Sequence, residues 1–249
     1  EPFGRSTCPA ISLAAIIAMN QSEGVDPLML VLSADHDIKN TNNFIEAINK
    51  GITHALNGRI VVFGVSPTSA ETGYGYIESF DAMLKDISSS KVKKFIEKPN
   101  KEDAEKYIQN KHFSWNSGIF MFKASTILTE VHKYNKKVLD ICKKSISNGT
   151  RDFDFQRINK EIFKDCPNCS IDVSVMEKTN LASVIKLDCG WNDLGSWKTL
   201  WELSKSDKNG NFLKGKNFIK DVHNTYLRSE SRLVVGLGID DLLIVETED

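Results

Sequence analysis

The chain has 249 residues, enough for one large α/β domain and a small appendage, and its 32 basic residues nearly cancel its 33 acidic ones. This balance argues against nucleic-acid-binding and membrane-surface proteins, whose affinity comes from neutralising phosphates. No apolar run approaches the roughly 18 residues of a membrane-spanning helix. The five cysteines, an odd number, do not suggest a disulfide framework. We therefore predict a cytoplasmic protein with a small-molecule partner, and neither a nucleic-acid nor a membrane partner.

The first part of the chain alternates between predicted helices and strands. Residues 7–22 carry apolar side chains nearly all round a helix, and "LMLVLS" is typical of a strand buried on both faces. A second helix, capped by Asn40 or Thr41, leads to the strand "RIVVFGV". This rhythm predicts right-handed parallel crossovers, and therefore an α/β fold with a mostly parallel sheet.

The middle of the chain is predicted to contain strands that end in polar residues. The turn-rich "SPTSAETGYGYIE" enters one strand, and "KVKKFIEKPN" ends another, after which Asn100 and Asp103 form a capping pair for the next helix. The apolar strand "WNSGIFMF" precedes a long amphipathic helix. A further helix is expected over residues 152–163, and one more is expected to open at Ser196.

Beyond about Lys205 the chain changes to polar turns and short strands. We therefore predict a first domain over residues 1–205 and a β-rich segment over residues 206–249. Because the chain begins with Glu1 rather than Met, the first domain is expected to lack an N-terminal part, and the second is expected to be unfinished at Asp249. Unpaired strand edges favour association, so a homo-oligomer is a further expectation.

Two acidic residues follow predicted strands, where ligands of open α/β sheets bind. Asp35 comes directly after "LVLS", and Asp193 lies in "GWNDLGSW" between two glycines. Either residue alone could be an ordinary turn or cap residue. Together they supply two oxygen donors of the kind that hold Mg²⁺ while water and substrate phosphates complete the octahedron. His36, with no metal-ligand set nearby, is interpreted as a hydrogen-bonding support.

Two further polar clusters suit a phosphorylated sugar. In "EKP", Glu97 can accept hydrogen bonds from sugar hydroxyls and Lys98 can face a phosphate, although a solvated surface pair is the alternative. Asn116 in "WNSG" offers a donor and an acceptor to a hydroxyl, and its alternative is an Asx turn. The "CPNC" at residues 166–169 has no second pair, which favours ordinary thiols over zinc or a redox motif.

Sequence blocks along essentially the whole chain resemble those of bacterial mannose-1-phosphate guanylyltransferases, and they occur in the same order. The blocks are "EPFGRSTCPAISLAAI", "LVLSADHDI", "ETGYGYIE", "FIEKP", "WNSGIFMF", "SIDVSVMEKT", "GWNDLGSWKTLWE" and "TYLRSESRLVVGLGIDDLLIVET". The resemblance implies a Rossmann-like nucleotidyltransferase domain followed by the start of a left-handed β-helix-like unit. It also implies the Mg²⁺-dependent reaction of GTP with α-D-mannose 1-phosphate to give GDP-mannose and pyrophosphate.

The resemblance assigns roles to single residues. It implies that Asp35 and Asp193 bind the metal and that Lys98 faces phosphate, which makes these three the candidate catalytic residues. The candidate substrate-binding residues comprise two that bind sugar hydroxyls, one glycine of "GYGY" that lines the sugar pocket, and one arginine in a segment near the nucleotide base. They are Glu97, Asn116, Gly75 and Arg5.

One departure from the family changes the expectation for this polypeptide. The family's Gly-rich loop, of the form GGxGxRLxP, supplies groups for the triphosphate and does not occur in this chain. The chain by itself is therefore expected to bind GTP poorly, whereas its full-length parent is expected to be active. Two alternatives stay open: a nucleotidyltransferase for another sugar or nucleotide, and a non-catalytic regulatory paralogue that senses a sugar nucleotide.

Overall fold

The structure, a computed structural model, describes residues 1–83, 88–195 and 197–248, except for the side chains of residues 198, 202 and 203. The expected helix start at Ser196 lies outside the described residues. Contacts divide the chain into a large unit, Glu1–Ala34 with Ile38–Trp191, and a small unit, Asp35–Asp37 with Asn192–Asp249. Among the described residues, no helix is both long and apolar enough to cross a bilayer.

Helices and strands alternate along the chain. The helices are α1 (Thr7–Gln21), α2 (Thr41–Leu56), α3 (Lys101–Tyr107), α4 (Ala124–Ser147), α5 (Lys160–Lys164), a π-helix (Asp172–Met176) and α6 (Trp197–Leu203). The strands up to residue 192 are β1 (Leu28–Val31), β2 (Asp37–Ile38), β3 (Ile60–Val65), β4 (Tyr76–Ser79), β5 (Ser89–Ile96), β6 (Phe113–Lys123), β7 (Thr150–Asp152), β8 (Phe155–Arg157), β9 (Ala182–Lys186) and β10 (Trp191–Asn192).

The central sheet of the large unit is six-stranded and mixed, in the order β1-β6-β3-β9-β5-β4, and β6 also pairs with β4. The α/β prediction is confirmed, but the mostly parallel pairing is wrong: among the described residues, β3–β9 is the one parallel pair of this sheet. The reason is that β6 lies between β1 and β3 and runs against both. In residues 1–83, 88–195 and 197–248, β1 pairs with β6 alone; it is not buried on both faces, and Leu30 is 38% exposed.

Packing on the two faces of the sheet explains the strongly apolar β3. Its side chains alternate between the faces, as the pleat of a strand requires. Ile60 and Val62 join the cluster that contains α1 and α4, whereas Val61 and Phe63 join the cluster that contains α2. The large unit is therefore a helix–sheet–helix sandwich in which β3 is the central buried strand.

Side-chain caps fix the starts of several helices as the sequence predicted. Asn40, rather than Thr41, caps α2, since its Oδ1 accepts a hydrogen bond from the Asn43 N–H at 3.1 Å. The Asn100 side chain accepts from the Asp103 N–H at 2.9 Å and caps α3. Such caps satisfy backbone donors that have no partner within the helix.

The helix expected over residues 152–163 is wrong. Thr150–Asp152 and Phe155–Arg157 pair as an antiparallel hairpin, and only the short α5 follows. Asn159 caps α5 by accepting from the Ile162 N–H at 3.0 Å, so its side chain serves a helix start rather than a helix interior. Phe153, which a packed helix would bury, is 92% exposed.

The small unit is built from parallel strands. Its strands are β11 (Phe212–Lys214), β12 (Asn217–His223), β13 (Tyr226–Ser229), β14 (Val234–Asp240) and β15 (Leu243–Glu246). Successive strands alternate between a β11-β13-β15 sheet and a β12-β14 sheet, both parallel. This is the coil of a β-helix, as expected, and its left-handedness stays a prediction. The buried Asn211 joins two turns, because it donates to Val222 O at 2.8 Å and accepts from the Thr225 N–H at 3.0 Å.

Candidate functional site

The start of β4 and the end of β5 meet at one point of the large unit, beside a position inside β6. Strand β4 runs antiparallel to both β5 and β6, so that Tyr76 lies opposite Ile96 on one side and Trp115 on the other. The neighbouring residues in each segment are Gly75, Glu97 and Asn116. The Asn116 N–H donates to the Gly75 carbonyl at 2.8 Å. The structure thus brings together the three residues for which the sequence predicted sugar contacts.

Gly75 leaves the space that the Glu97 carboxylate occupies. A Cβ atom at position 75 would lie 2.7 Å from Glu97 Oε2 and 3.3 Å from the Asn116 Cβ. Heavy atoms that are not bonded do not approach this closely without displacement, so any side chain here would move the carboxylate. Glycine at this position lets the Glu97 carboxylate lie there, and a larger residue would turn that side chain aside.

Two hydrogen bonds fix the orientation of the Asn116 amide. Its Nδ2 donates to Asp172 Oδ1 at 3.1 Å, and its Oδ1 accepts from the Gly118 N–H at 3.1 Å. A side-chain amide has two N–H groups and two lone pairs on oxygen. One donor and one acceptor therefore remain for a ligand, and their directions are set before the ligand arrives.

Sequence reasoning missed two acidic residues of this site, Asp172 and Glu177. Asp172 begins the π-helix, and Glu177 follows it and accepts from the Glu97 N–H through Oε1 at 3.3 Å. Single-turn π-helices occur frequently at functional sites. The block "SIDVSVMEKT" contains both residues, but no spacing rule within it singles out these acids. The contact of Asp172 with Asn116 and that of Glu177 with Glu97 identify them.

The electrostatics of this cluster disfavour charge. Burial, the negative charge of Asp172 and that of Glu177 raise the pKa of Glu97, while Lys98 opposes the rise. Burial also raises the pKa of Asp172 against hydrogen bonds from groups that include Asn116 and Ser170. The charged form of such carboxylates is stabilised when a ligand supplies hydroxyl donors or a cation.

Lys98 lies next to this cluster with an unusual backbone. Its φ of 46° is in the left-handed region, which costs free energy for a residue other than glycine. The ammonium Nζ is 3.8 Å from Glu97 Oε1, and the side chain is 64% exposed. A long, exposed ion pair of this kind leaves the ammonium able to turn towards an anion.

Aromatic rings flank the cluster. Tyr74 packs edge-on against Trp115 at 5.1 Å and against Trp191 at 5.6 Å between ring centroids. Tyr74 and Trp115 are the chain neighbours of Gly75 and Asn116. Rings in contact with one another lose little freedom when a ligand binds, so they give the site rigid sides.

The two predicted metal ligands, Asp35 and Asp193, both belong to the small unit. Asp35 is exposed in a bend before β2, and Asp193 is half-buried directly after β10. The Gly195 N–H donates to Asp193 Oδ1 at 3.0 Å. A Cβ atom on Gly195 would lie 2.7 Å from Asp193 Oδ2, so glycine gives this carboxylate its room.

The segments next to these two acids are tied together. The Asn40 N–H donates to the Cys189 carbonyl at 2.9 Å, and Gly190 packs against Lys39. Strands β2 and β10 pair. Across residues 1–83, 88–195 and 197–248, no group of three or more His, Cys, Asp or Glu side chains could hold a metal ion. Two carboxylates would therefore leave most coordination positions to water and substrate.

Arg5 has contacts of a different kind. Its Nη2 donates to the Lys164 carbonyl at the end of α5, and its guanidinium lies 5.7 Å from the centroid of the Phe3 ring. These contacts attach the N-terminal segment to α5. Its role near a nucleotide base stays a prediction.

The chain is similar to known nucleotidyl transferases. Residues 1–210 match the family described as nucleotidyl transferase. The chain is 45% identical to Mannose-1-phosphate guanylyltransferase 2 of Escherichia coli O157:H7, in an alignment that covers all of this chain and 53% of that protein. It is 43% identical to Mannose-1-phosphate guanylyltransferase of E. coli strain K12, in an alignment that covers all of this chain and 52% of that protein. It thus spans about half the length of the curated relatives it matches. A solved structure from Thermus thermophilus, named mannose-1-phosphate geranyltransferase, superposes with a TM-score of 0.82 at 27% identity, over 100% of this chain and 70% of that one.

Proposed function

The chain belongs to the nucleotidyl transferase family, and we propose that it is the nucleotidyl-transfer part of a protein that converts GTP and α-D-mannose 1-phosphate into GDP-mannose and pyrophosphate. The meeting of Gly75, just before β4, with Glu97, just after β5, and Asn116, within β6, carries this proposal. An oriented amide beside a carboxylate suits vicinal hydroxyls of a sugar. The names of the relatives support the choice of mannose and guanosine.

The proposed reaction needs positioning more than it needs a base. An anionic phosphate oxygen of mannose 1-phosphate attacks the α-phosphorus of GTP, a new P–O bond forms, and the bond to the leaving pyrophosphate breaks in line. Because the nucleophile is already anionic, no proton has to be removed. Glu97 and Asn116 would hold the sugar hydroxyls, and the Lys98 ammonium would offset phosphate charge at the edge of the pocket.

We also propose that Asp35 and Asp193 hold a divalent cation, Mg²⁺. The donor set fits this ion, since both donors are carboxylates and the described residues hold no closed ligand set that would favour a softer metal. Nucleotidyl transferases of this kind generally use a divalent metal. When bound, the ion would offset the negative charge of the phosphates during transfer.

Three further expectations stay proposals. They are the domain division at residue 205, the homo-oligomer and the cytoplasmic location. All five cysteines are free, which supports a reducing compartment. The domain division can be checked by limited proteolysis, and the oligomer by sedimentation of the purified protein.

Pyrophosphate release by the longest natural product of the gene tests the proposed reaction. We expect release from GTP and mannose 1-phosphate that requires Mg²⁺ and stops on chelation. Equal or faster release from UTP and glucose 1-phosphate would overturn the substrate assignment. Binding of GDP-mannose without any turnover would instead favour a regulatory sensor.

The metal assignment has its own test. Asp35→Ala and Asp193→Ala should each remove turnover while the melting temperature stays near that of the parent. Asp188→Ala is the matched control, because Asp188 is an exposed acid close to Asp193 in the chain. Near-normal rates in either test variant would remove that residue from the metal site.

A further inference from the structure

Four of the five cysteines gather at one place in the large unit, although they come from three distant segments. Cys8 lies in the first turn of α1, Cys142 in α4, and Cys166 and Cys169 form the CxxC that follows α5. The Cys142 thiol donates to the carbonyl of Pro9, the neighbour of Cys8, at 3.8 Å. The charge of Cys166 raises the pKa of both Cys8 and Cys142. No metal-holding group of three such residues exists in the described ranges, so a metal does not explain the cluster.

The Cys8 and Cys169 backbones touch directly. The Cys8 N–H donates to the Cys169 carbonyl at 3.2 Å, and the Cys169 N–H donates to the Arg5 carbonyl at 3.3 Å. The Ile171 N–H adds a bond to Thr7 Oγ1 at 2.9 Å. The backbone hydrogen bond places the two cysteines side by side, and the side-chain hydrogen bond between Cys8 and Cys169 brings their sulfur atoms together, as a disulfide requires.

The two thiols differ in their exposure to solvent. Cys8 is fully buried, whereas Cys169 is partly exposed. Asn135, the residue of α4 with a non-helical backbone (φ −149°, ψ 61°), donates through Nδ2 to Cys169 Sγ at 3.4 Å. A partly exposed thiol is the one that a solute can reach. Cys169 is therefore placed to meet an oxidant first, with Cys8 directly behind it.

We propose that Cys169 and Cys8 are an oxidisable dithiol, a modification site that reacts with a peroxide to form a disulfide within the chain. The Cys169 thiol gives up its proton, and the thiolate sulfur attacks one peroxide oxygen as the O–O bond breaks. The hydroxide that leaves takes up that proton as the first water, and Cys169 becomes a sulfenic acid. The Cys8 sulfur then displaces the sulfenic hydroxyl, the S–S bond forms, and the Cys8 proton leaves with that hydroxyl as a second water. Two thiols and one hydrogen peroxide give one disulfide and two waters.

The burial of Cys8 limits the rate of this reaction. Burial and the neighbouring Cys169 raise the pKa of Cys8 to about 12, so its thiolate is scarce at neutral pH. The second step is then the slower one, and it speeds up as the pH rises. The new bond would tie the first turn of α1 to the loop that enters the π-helix at Asp172. This proposal does not depend on the proposed reaction.

Peroxide treatment of the native full-length protein followed by alkylation tests the dithiol. Non-reducing digestion and mass spectrometry should find Cys8 linked to Cys169, in a yield that increases between pH 7 and pH 9 and reverses with dithiothreitol. Cys169→Ser should abolish the link, and Cys189→Ser, outside the cluster, should keep it. The closed loop is long, so the oxidised protein should melt on the order of 10 °C higher than the reduced one.

Three results would overturn the proposal. They are a stable sulfinic or sulfonic acid at Cys169 without a linked peptide, a link from Cys169 to Cys166 instead of Cys8, and a link that forms only in denaturant. Cys166 and Cys169 share a tryptic peptide, so Cys166→Ser identifies the partner. A Cys8–Cys169 link that persists in Cys166→Ser supports the proposal, and its loss in that variant contradicts it.

Discussion

Asp172 of the large unit and Glu246 of the small unit are both hydrogen-bonded carboxylates, yet their pKa values shift in opposite directions. Burial dominates at Asp172 and raises its pKa. At Glu246, the backbone N–H groups of Ser231, Arg232 and Glu230 donate at 2.9, 3.0 and 3.1 Å and lower the pKa to about 2. The difference lies in burial: Asp172 also accepts hydrogen bonds, from its own N–H, Asn116 and Ser170, but its burial outweighs them, whereas the backbone N–H groups outweigh burial at Glu246.

This difference separates a ligand site from a structural anchor. Glu246 already has its donors, and its carboxylate holds the turn of residues 230–232 against β15. Asp172 and Glu97 lie close enough to repel each other and have capacity left to accept hydrogen bonds. Burying these carboxylates costs free energy on folding, and a ligand that supplies hydroxyl donors restores it. We therefore expect the acids of the large unit to matter for turnover and Glu246 to matter for stability.

Among variants of these hydrogen-bonded carboxylates and their partners, the largest expected effect is the loss of the acceptor at Glu97. Glu97→Ala should lower kcat/KM for the sugar phosphate by roughly 100-fold, because a hydrogen bond to a charged group contributes about 1.5–3 kcal/mol. The melting temperature should not fall, since burial disfavours the charge of this group. Steady-state kinetics with the full-length protein check this, with the exposed Glu102→Ala as control. A kcat/KM within twofold of the parent would contradict the role of Glu97.

Asp172→Asn should change activity and stability in opposite directions. We expect turnover to fall about tenfold, because Asn116 loses a charged partner, while the free energy of unfolding at pH 7 increases. The sign follows from the raised pKa: the folded state binds the proton more tightly, so stability decreases as pH rises from the ordinary aspartate value, about 3.9, through the folded value. The variant lacks this decrease.

Urea denaturation at pH 4 and pH 7 measures the effect of Asp172→Asn. The gain over the parent should be larger at pH 7 than at pH 4. The exposed Asp165→Asn is the control and should change neither quantity. A variant that is less stable than the parent at pH 7 would show that Asp172 is an anchor like Glu246.

Glu246→Gln should act on stability in the opposite sense. The lowered pKa means that the charged form stabilises the fold above the ordinary glutamate value of 4.5, and that this contribution is lost as pH falls towards about 2. The variant should therefore melt several degrees lower at pH 7 and match the parent near pH 2. Thermal melts across this range, with the exposed Glu248→Gln as control, check the prediction. An equal deficit at both pH values would mean that the charge is not what matters.

The smallest effect is expected at Arg232. Its guanidinium lies 3.4 Å from Glu246 Oε1, but the side chain is 67% exposed, and backbone donors already lower the pKa of Glu246. Arg232→Gln keeps the backbone N–H and should shift the melting temperature by less than about 2 °C. A loss as large as that of Glu246→Gln would transfer the role of anchor from the backbone to the ion pair.

Local chemistry made several parts of this protein predictable from sequence. The Asn40 and Asn100 caps depend on contacts within three residues, and the apolar alternation of β3 follows from the pleat of a single strand. Glu97 and Asn116 could be named as candidates because each is a polar residue beside an apolar run, which is a local feature of the sequence. Their hydrogen-bonding groups suggested a phosphorylated sugar, and only the family resemblance supplied mannose and GTP.

Pairing between distant segments decided the rest. The strand β6 was recognised, but its insertion between β1 and β3 depends on hydrogen bonds to residues far away in the chain, and this insertion replaced a parallel pairing by two antiparallel ones. The fold alone connects Asp172 to Asn116 and Cys8 to Cys169. Sequence periodicity determines which face of an element is apolar, whereas the partner that covers this face is chosen by the packing of the whole chain.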